Sequence, residues 1–183
     1  MARRPKVQAP DAFRRQLLAA IPRLRRYARG LVFDAAAADD LVQTALERAL
    51  THWHQFDQRR DIVLWLIGIT HHAFIDDRRR ERRVRVVDPA EALAESDLQR
   101  YEPAPDIALR MDLAAALARL PPEQREPLLM VSVEQFSYAE CAQALGIPIG
   151  TVMSRISRAR TALRALLDGS ERASPARTLR RVI

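Results

Sequence analysis

The sequence predicts an all-α protein of two small helical domains joined by a flexible acidic linker, the second domain containing a helix-turn-helix. Three observations carry that expectation. Glycine is scarce, with 5 in 183 residues, aromatic residues make up 5%, and Ala, Leu and Arg abound, a composition that favours helix over sheet. Two clear apolar stripes run at three- and four-residue spacing, one in each half of the chain. Between residues 86 and 106 stand six acids (Asp88, Glu91, Glu95, Asp97, Glu102, Asp106) against Arg100 alone, with Pro89, Pro103 and Pro105 among them. Those prolines disfavour a continuous helix. The expected organisation is a domain over 1–85, a linker over 86–105, a second domain over 106–168 and a basic tail over 169–183.

In the first half, helices are expected over 11–33, interrupted or bent near Pro22, over 35–53 and over 61–83. Asp34 and Asp61 are suited to cap the second and third, because a short side-chain oxygen there accepts an otherwise unpaired backbone N–H. Ile62, Trp65, Leu66, Ile69 and Ala73 give the third helix one buried face. Six arginines between residues 78 and 85 close that helix. In the second half, helices are expected over 106–119, 122–133, 137–145 and 148–167, and Ser137 with Glu140 three residues on fits a capping box.

The net charge of +7 points to a polyanionic partner, either nucleic acid or an anionic membrane surface. Of 30 basic residues only Lys6 is a lysine. The rest offer planar forks that match phosphate and guanine edges. Cys141 is the single cysteine, which excludes an intrachain disulfide and a cysteine-cluster zinc site. Its neighbours suggest a small buried thiol. The apolar run 62–69 is too short to cross a bilayer, and no apolar signal segment opens the chain. The expectation is a soluble cytoplasmic protein without membrane insertion. No nucleophile–base set or phosphate loop is visible, so neither an enzyme nor a cofactor is expected.

The stretch "YAECAQALGIPIGTVMSRISRARTALRALL" joins a short helix, a glycine turn at Gly146 and a longer helix opening at Pro148, which is helix-turn-helix spacing. Proline suits a first helical position, where its missing N–H would have had no partner. Gly150 removes a side chain where the backbone has to approach another surface. Val152, Ile156, Ala159, Leu163 and Leu166 form one apolar stripe that must pack on the preceding helices. Thr151, Ser154, Arg155 and Arg158 lie off it near the N-terminal end, where recognition helices meet base edges. Arg160 and Arg164 lie on the other flank and suit phosphate or solvent. A surface helix with solvated arginines is the bland alternative; the capped helix and glycine turn before it favour DNA.

The same residues resemble region four of bacterial RNA polymerase sigma factors, in particular the small extracytoplasmic-function (group IV) family. "GTVMSRISRAR" is the most specific part of that resemblance. In the first half, "RLRRYARGLVFDAAAADDLVQTALERAL" resembles the region-two segment that docks on the polymerase clamp. "WLIGITHHAFIDDRRRERR" resembles the segment that opens and reads the minus-ten element. The resemblance covers most of residues 20–167, in the expected order. It implies a promoter-specificity subunit without catalysis, whose partners are core RNA polymerase (the clamp of the largest subunit and the flap), promoter DNA and an anti-sigma factor.

By the resemblance, Asp39, Asp40, Leu41 and Gln43 contact the clamp. Two carboxylates and an amide on one helical turn also suit a basic, polar partner helix; the alternative is an acid pair that favours its own helix dipole. His71, His72, Asp76, Arg78, Arg79 and Arg80 would lie along the minus-ten helix, and region four would read the minus-35 element. His71-His72 stand where the family usually has Arg-Asn, which leaves open which base is read. The His/Asp group is no metal site by spacing, since only His72 and Asp76 form an i, i+4 pair.

The segment from 86 to 106 extends at most about 70 Å. Two promoter elements one and a half to two helical turns apart require roughly 50–70 Å, so the linker suffices only when largely extended. Its acidity suits either the basic channel of polymerase or solubility alone. Two other functions fit parts of the chain: a dimeric helix-turn-helix repressor that binds duplex DNA without polymerase, and a sigma-like decoy that sequesters an anti-sigma protein.

Overall fold

The structure is a computed structural model that describes residues 9–85 and 105–173. Residues 1–8, all but the last residue of the acidic linker expected over 86–105, and the last ten residues of the basic tail lie outside the described residues. Seven α-helices and one 3₁₀ turn account for the described elements: α1 (Asp11–Val32), α2 (Ala35–Thr51), α3 (Ile62–Arg85), α4 (Pro105–Ala118), α5 (Pro122–Ser132), α6 (Tyr138–Leu145) and α7 (Ile149–Ala173), with the 3₁₀ turn at Trp53–Gln55 before α3. The all-α fold is as expected, and every expected helix is present.

The caps follow the sequence. Asp34 accepts the backbone N–H of Ala37 at 2.7 Å and starts α2. Asp61 accepts the N–H of Val63 at 2.7 Å and starts α3. Three differences concern boundaries. Pro22 lies inside one helix, so α1 is not interrupted, although proline removes one backbone donor. α7 runs on through Gly169 to Ala173, five residues into the expected tail, because a lone helical glycine costs only about 1 kcal/mol. At its start, Pro148 stands one residue before α7, and its carbonyl accepts from Thr151 and Val152.

In the first half, α1, α2 and α3 pack on one another around Leu24, Tyr27, Leu31, Val42, Leu66 and Ile67. Phe13, Phe56 and Trp65 form an aromatic cluster, with ring centroids 5.2 to 6.0 Å apart, that ties the loop after α2 to α1 and α3. In the second half, α7 packs on α4, α5 and α6. Val152, Ile156 and Ala159 of its stripe are fully buried, and Leu163 and Leu166 are partly so.

The halves do not stand apart. α1 packs on α4 and α5, and α3 packs on α6, in one continuous apolar cluster. The seam is tight where glycines allow it: a Cβ on Gly30 of α1 would stand 2.9 Å from Leu129 of α5. A Cβ on Gly68 of α3 would stand 3.4 Å from the carbonyl oxygen of Ala144 in α6.

Two buried carboxylates bridge the seam. Glu134, in the turn after α5, has a fully buried side chain that takes Arg23 at 2.9 Å through Nε. The same carboxylate takes Arg26 through Nε and Nη2 at 3.0 and 2.9 Å. Glu126 of α5 accepts the Tyr27 hydroxyl at 2.9 Å and lies 2.8 Å from Nδ1 of His71. Burial, and then the charge of Glu126, pushes the Tyr27 phenol well above its ordinary value. Beside them, the nearly buried Arg125 donates to the carbonyls of Leu31, Leu117 and Ala118 and stacks over Phe33.

Removing one partner of such a pair leaves the other charge buried and unpaired, at a cost of about 3 kcal/mol. In urea titrations of the full chain, replacing Arg23 and Arg26 together by Ala is therefore expected to cost at least that much. Glu134→Ala should cost somewhat less, because both arginines reach the surface and can be rehydrated. A loss below about 1 kcal/mol in both variants would show that the bridge does not hold the seam.

Candidate polymerase and nucleic-acid interfaces

α6 and α7 form the helix-turn-helix. Ser137 caps α6: its hydroxyl accepts the N–H of Glu140 at 3.2 Å, and the Glu140 carboxylate accepts the Ser137 N–H at 2.8 Å and hydroxyl at 2.7 Å. Those bonds hold the Glu140 carboxyl below its ordinary range. Gly146 ends α6 at φ +64°, a left-handed conformation that favours glycine. Cys141 is buried, and burial pushes its thiol up to about 11, so it is an unreactive core group, as expected.

On α7, the buried stripe turns the opposite face to solvent. At 100° per residue, Gly150, Ser154, Ser157 and Thr161 run down the middle of that exposed face, with Met153 and Arg158 at its edges. Nothing lies within 4 Å of a Cβ built on Gly150, so the fold itself makes no use of the missing side chain. Arg158 folds back on Ser154, donating to its carbonyl at 3.2 Å and its hydroxyl at 3.3 Å. Thr151 and Arg155 stand beside the buried stripe and are partly covered. Met153 and Ser157 were not singled out from the sequence. The 3.6-residue period alone could have found them, but the arginines drew attention to the flanks.

On α2, Asp39, Asp40 and Gln43 are exposed, whereas Leu41 is buried. Asp39 pairs with Arg25 of α1 at 3.0 Å, and the Gln43 amide donates to Glu47 at 3.0 Å. Asp40 has no bonded partner among the described residues, so Asp40 and Gln43 present the most available polar groups of this turn. Leu41 belongs to the core rather than to a free contact surface.

On α3, the six residues placed along the minus-ten helix divide. His71 turns into the seam, 17% exposed against Glu126. The ring of His72 is exposed and donates through Nδ1 to the Gly68 carbonyl at 2.7 Å, and Asp76 pairs with Arg48 of α2 at 3.1 Å. Arg78 covers the Phe74 ring, while Arg79 and Arg80 are exposed. His72 and Asp76 thus bond in different directions, and no cluster of three potential metal ligands occurs among the described residues. Leu41 and Arg78 line one open cleft of about 360 Å³ together with Ala118, Leu120, Pro122 and Arg125 of the second half. Burial, and then the charge of Arg78, lowers the Arg125 guanidinium from its ordinary value.

Known proteins match this arrangement in both halves. Residues 110–163 match the family described as Sigma-70, region 4, and residues 17–71 match the Sigma2 domain of PhyR. Over 94% of its length the chain is 39% identical to the ECF RNA polymerase sigma factor EcfG of Rhodopseudomonas palustris, covering 96% of that protein. The chain belongs to the ECF RNA polymerase sigma factors. Such a subunit binds core RNA polymerase and directs transcription initiation at promoters.

The RNA polymerase sigma-E factor of Streptomyces coelicolor is 38% identical over 77% of each chain. The sigma factor RpoE of Bartonella quintana, solved in complex with the anti-sigma factor NepR, superposes with a TM-score of 0.74 at 31% identity, covering 87% of this sigma factor and 98% of that chain. CnrH, solved in complex with the cytosolic domain of CnrY, gives 0.62 at 27% identity over 86% and 88%. Among the described residues, no helix of the sigma factor is long and apolar enough to cross a membrane.

The capping box generates a prediction. Ser137→Ala should cost about 1 kcal/mol at neutral pH. Glu140 is depressed in the folded state, so its share is present above the ordinary glutamate value of about 4.3 and is lost as the pH falls through its lower folded value. Urea midpoints should therefore separate wild type from Glu140→Gln at pH 7 and converge in acid. A gap that widened in acid would contradict this.

Proposed function

We propose that the packed chain is the resting form of this sigma factor, with its polymerase and minus-ten surfaces partly covered until the halves separate. The observation that carries this reading is the position of His71, Leu41 and Arg78. All three come from the surfaces assigned to the clamp and the minus-ten element; His71 bonds Glu126 of the second half, and Leu41 and Arg78 line a cleft shared with it. Promoter elements one and a half to two turns apart require reading heads roughly 50–70 Å apart, which halves in direct contact do not provide.

In the open form, residues 1–85 dock on the clamp through Asp39, Asp40 and Gln43 and read the minus-ten element through His71, His72, Asp76, Arg78, Arg79 and Arg80. Residues 106–168 read the minus-35 element through Gly150, Thr151, Ser154, Arg155 and Arg158. The open space at Gly150 and the exposed face of α7 support that role. The protein acts in the cytoplasm, without catalysis of its own. An anti-sigma protein holds the packed form; support comes from the Bartonella relative, solved with the anti-sigma factor NepR. The match to the Sigma2 domain of PhyR, a protein described as an anti-anti-sigma factor, favours the decoy reading as the second choice.

Asp40→Arg combined with Gln43→Ala should abolish core binding in a pull-down while thermal melting stays unchanged, since both side chains are exposed. Unaltered core affinity would remove α2 as the docking surface. In transcription with reconstituted holoenzyme, Arg158→Ala should compress the difference between a promoter and its upstream-element variants, a bidentate base contact being worth about 1–3 kcal/mol. Arg164→Ala should leave that difference intact. A chain that binds an anti-sigma protein but never supports transcription would be a decoy.

A further inference from the structure

Met153 is a long apolar side chain at the edge of an otherwise polar exposed face. It is 53% exposed, and Ile149, one turn earlier on the same edge of α7, is 49% exposed. Gly150 beside them leaves the backbone bare, with open space where a Cβ would be. Residues 149–167 contain no acid, and Arg155, Arg158, Arg160 and Arg164 flank the face, which fits an anionic surface rather than an apolar protein groove. A thioether is polarizable but a weak hydrogen-bonding group, so at a base edge it discriminates by apolar contact. In the major groove, the apolar feature that marks one base from another is the C5-methyl of thymine.

Resting on the reading of α7 as the upstream-element reader, we infer that Met153 is a specificity-determining residue that packs on thymine C5-methyl groups. Ile149 extends the same apolar edge. Recognition is then divided across the helix: Arg158, at the opposite edge, supplies hydrogen bonds to polar base atoms and phosphate, and Met153 reads methyls. Ser154 and Ser157 are short enough between them to let the groove floor approach.

The test uses holoenzyme reconstituted with core polymerase and a promoter fragment that the holoenzyme selects from genomic DNA. Each thymine of the upstream element, on either strand, is replaced in turn by deoxyuridine, which deletes the methyl alone. Wild-type occupancy should fall about fourfold at one or two positions, the worth of burying one methyl. Holoenzyme carrying Met153→Ala should bind the thymine promoter more weakly by a similar factor and be indifferent to those replacements. The exposed position makes this variant melt as wild type does. Wild-type occupancy indifferent to every methyl, or full methyl sensitivity retained by Met153→Ala, would overturn the assignment. If Arg158→Ala also leaves occupancy and sequence preference unchanged, α7 is not the reader at all, a failure distinguishable from that of Met153 alone.

Discussion

The fold turns on the burial of Glu134 and Glu126 between the two halves. A carboxylate is expensive to take out of water unless it is paired and hydrogen-bonded, and the side-chain partners of both among the described residues come from the other half: Arg23 and Arg26 for one, Tyr27 and His71 for the other. With those bonds in place, α1 lies against α5 closely enough for Gly30 to touch Leu129, and α3 lies against α6 at Gly68.

The seam also uses internally parts of the two proposed binding surfaces. His71 stands on the same helix as the solvent-facing Arg79 and Arg80, yet its ring completes the bonding of Glu126. Apolar packing alone would make the halves inseparable. A seam with charged groups at its centre has another state open to it, because carboxylates and guanidinium groups parted from each other recover hydration. A contact of this composition is suited to be exchanged for nucleic acid and polymerase, whose phosphates and polar helices offer arginines and histidines alternative partners.

Local signals in the sequence were strong wherever a residue's role is set by its near neighbours. Asp34, Asp61 and Ser137 are caps because their oxygens bond N–H groups two or three residues away, and the α7 stripe follows from the helical period. Gly146 is a turn because only a few residue types adopt a left-handed backbone readily. The seam is different in kind. Arg23 and Glu134 are 111 residues apart, and nothing near either names the other; Glu134 follows a short apolar run and would pass for a solvated turn residue. The family resemblance, which names a clamp-contacting helix, likewise does not foretell that Leu41 is core or that Asp39 is occupied by Arg25. The exposed Met153 was legible in principle from the period, and lay hidden among more conspicuous arginines.

The claim that most needs measurement is that the halves are joined at rest and parted in the transcribing complex. Cys141 is buried with a raised thiol, so cysteines introduced at the exposed positions Leu50 of α2 and Ala165 of α7 can be spin-labelled selectively. Their separation can then be measured in the free chain and in the promoter-bound holoenzyme. The account predicts a single short distance in the free chain. It predicts a longer distance in the complex, where two elements one and a half to two turns apart hold the reading heads roughly 50–70 Å from each other. The same short distance in a transcriptionally active complex would contradict it, as would a long, broad distribution in the free chain.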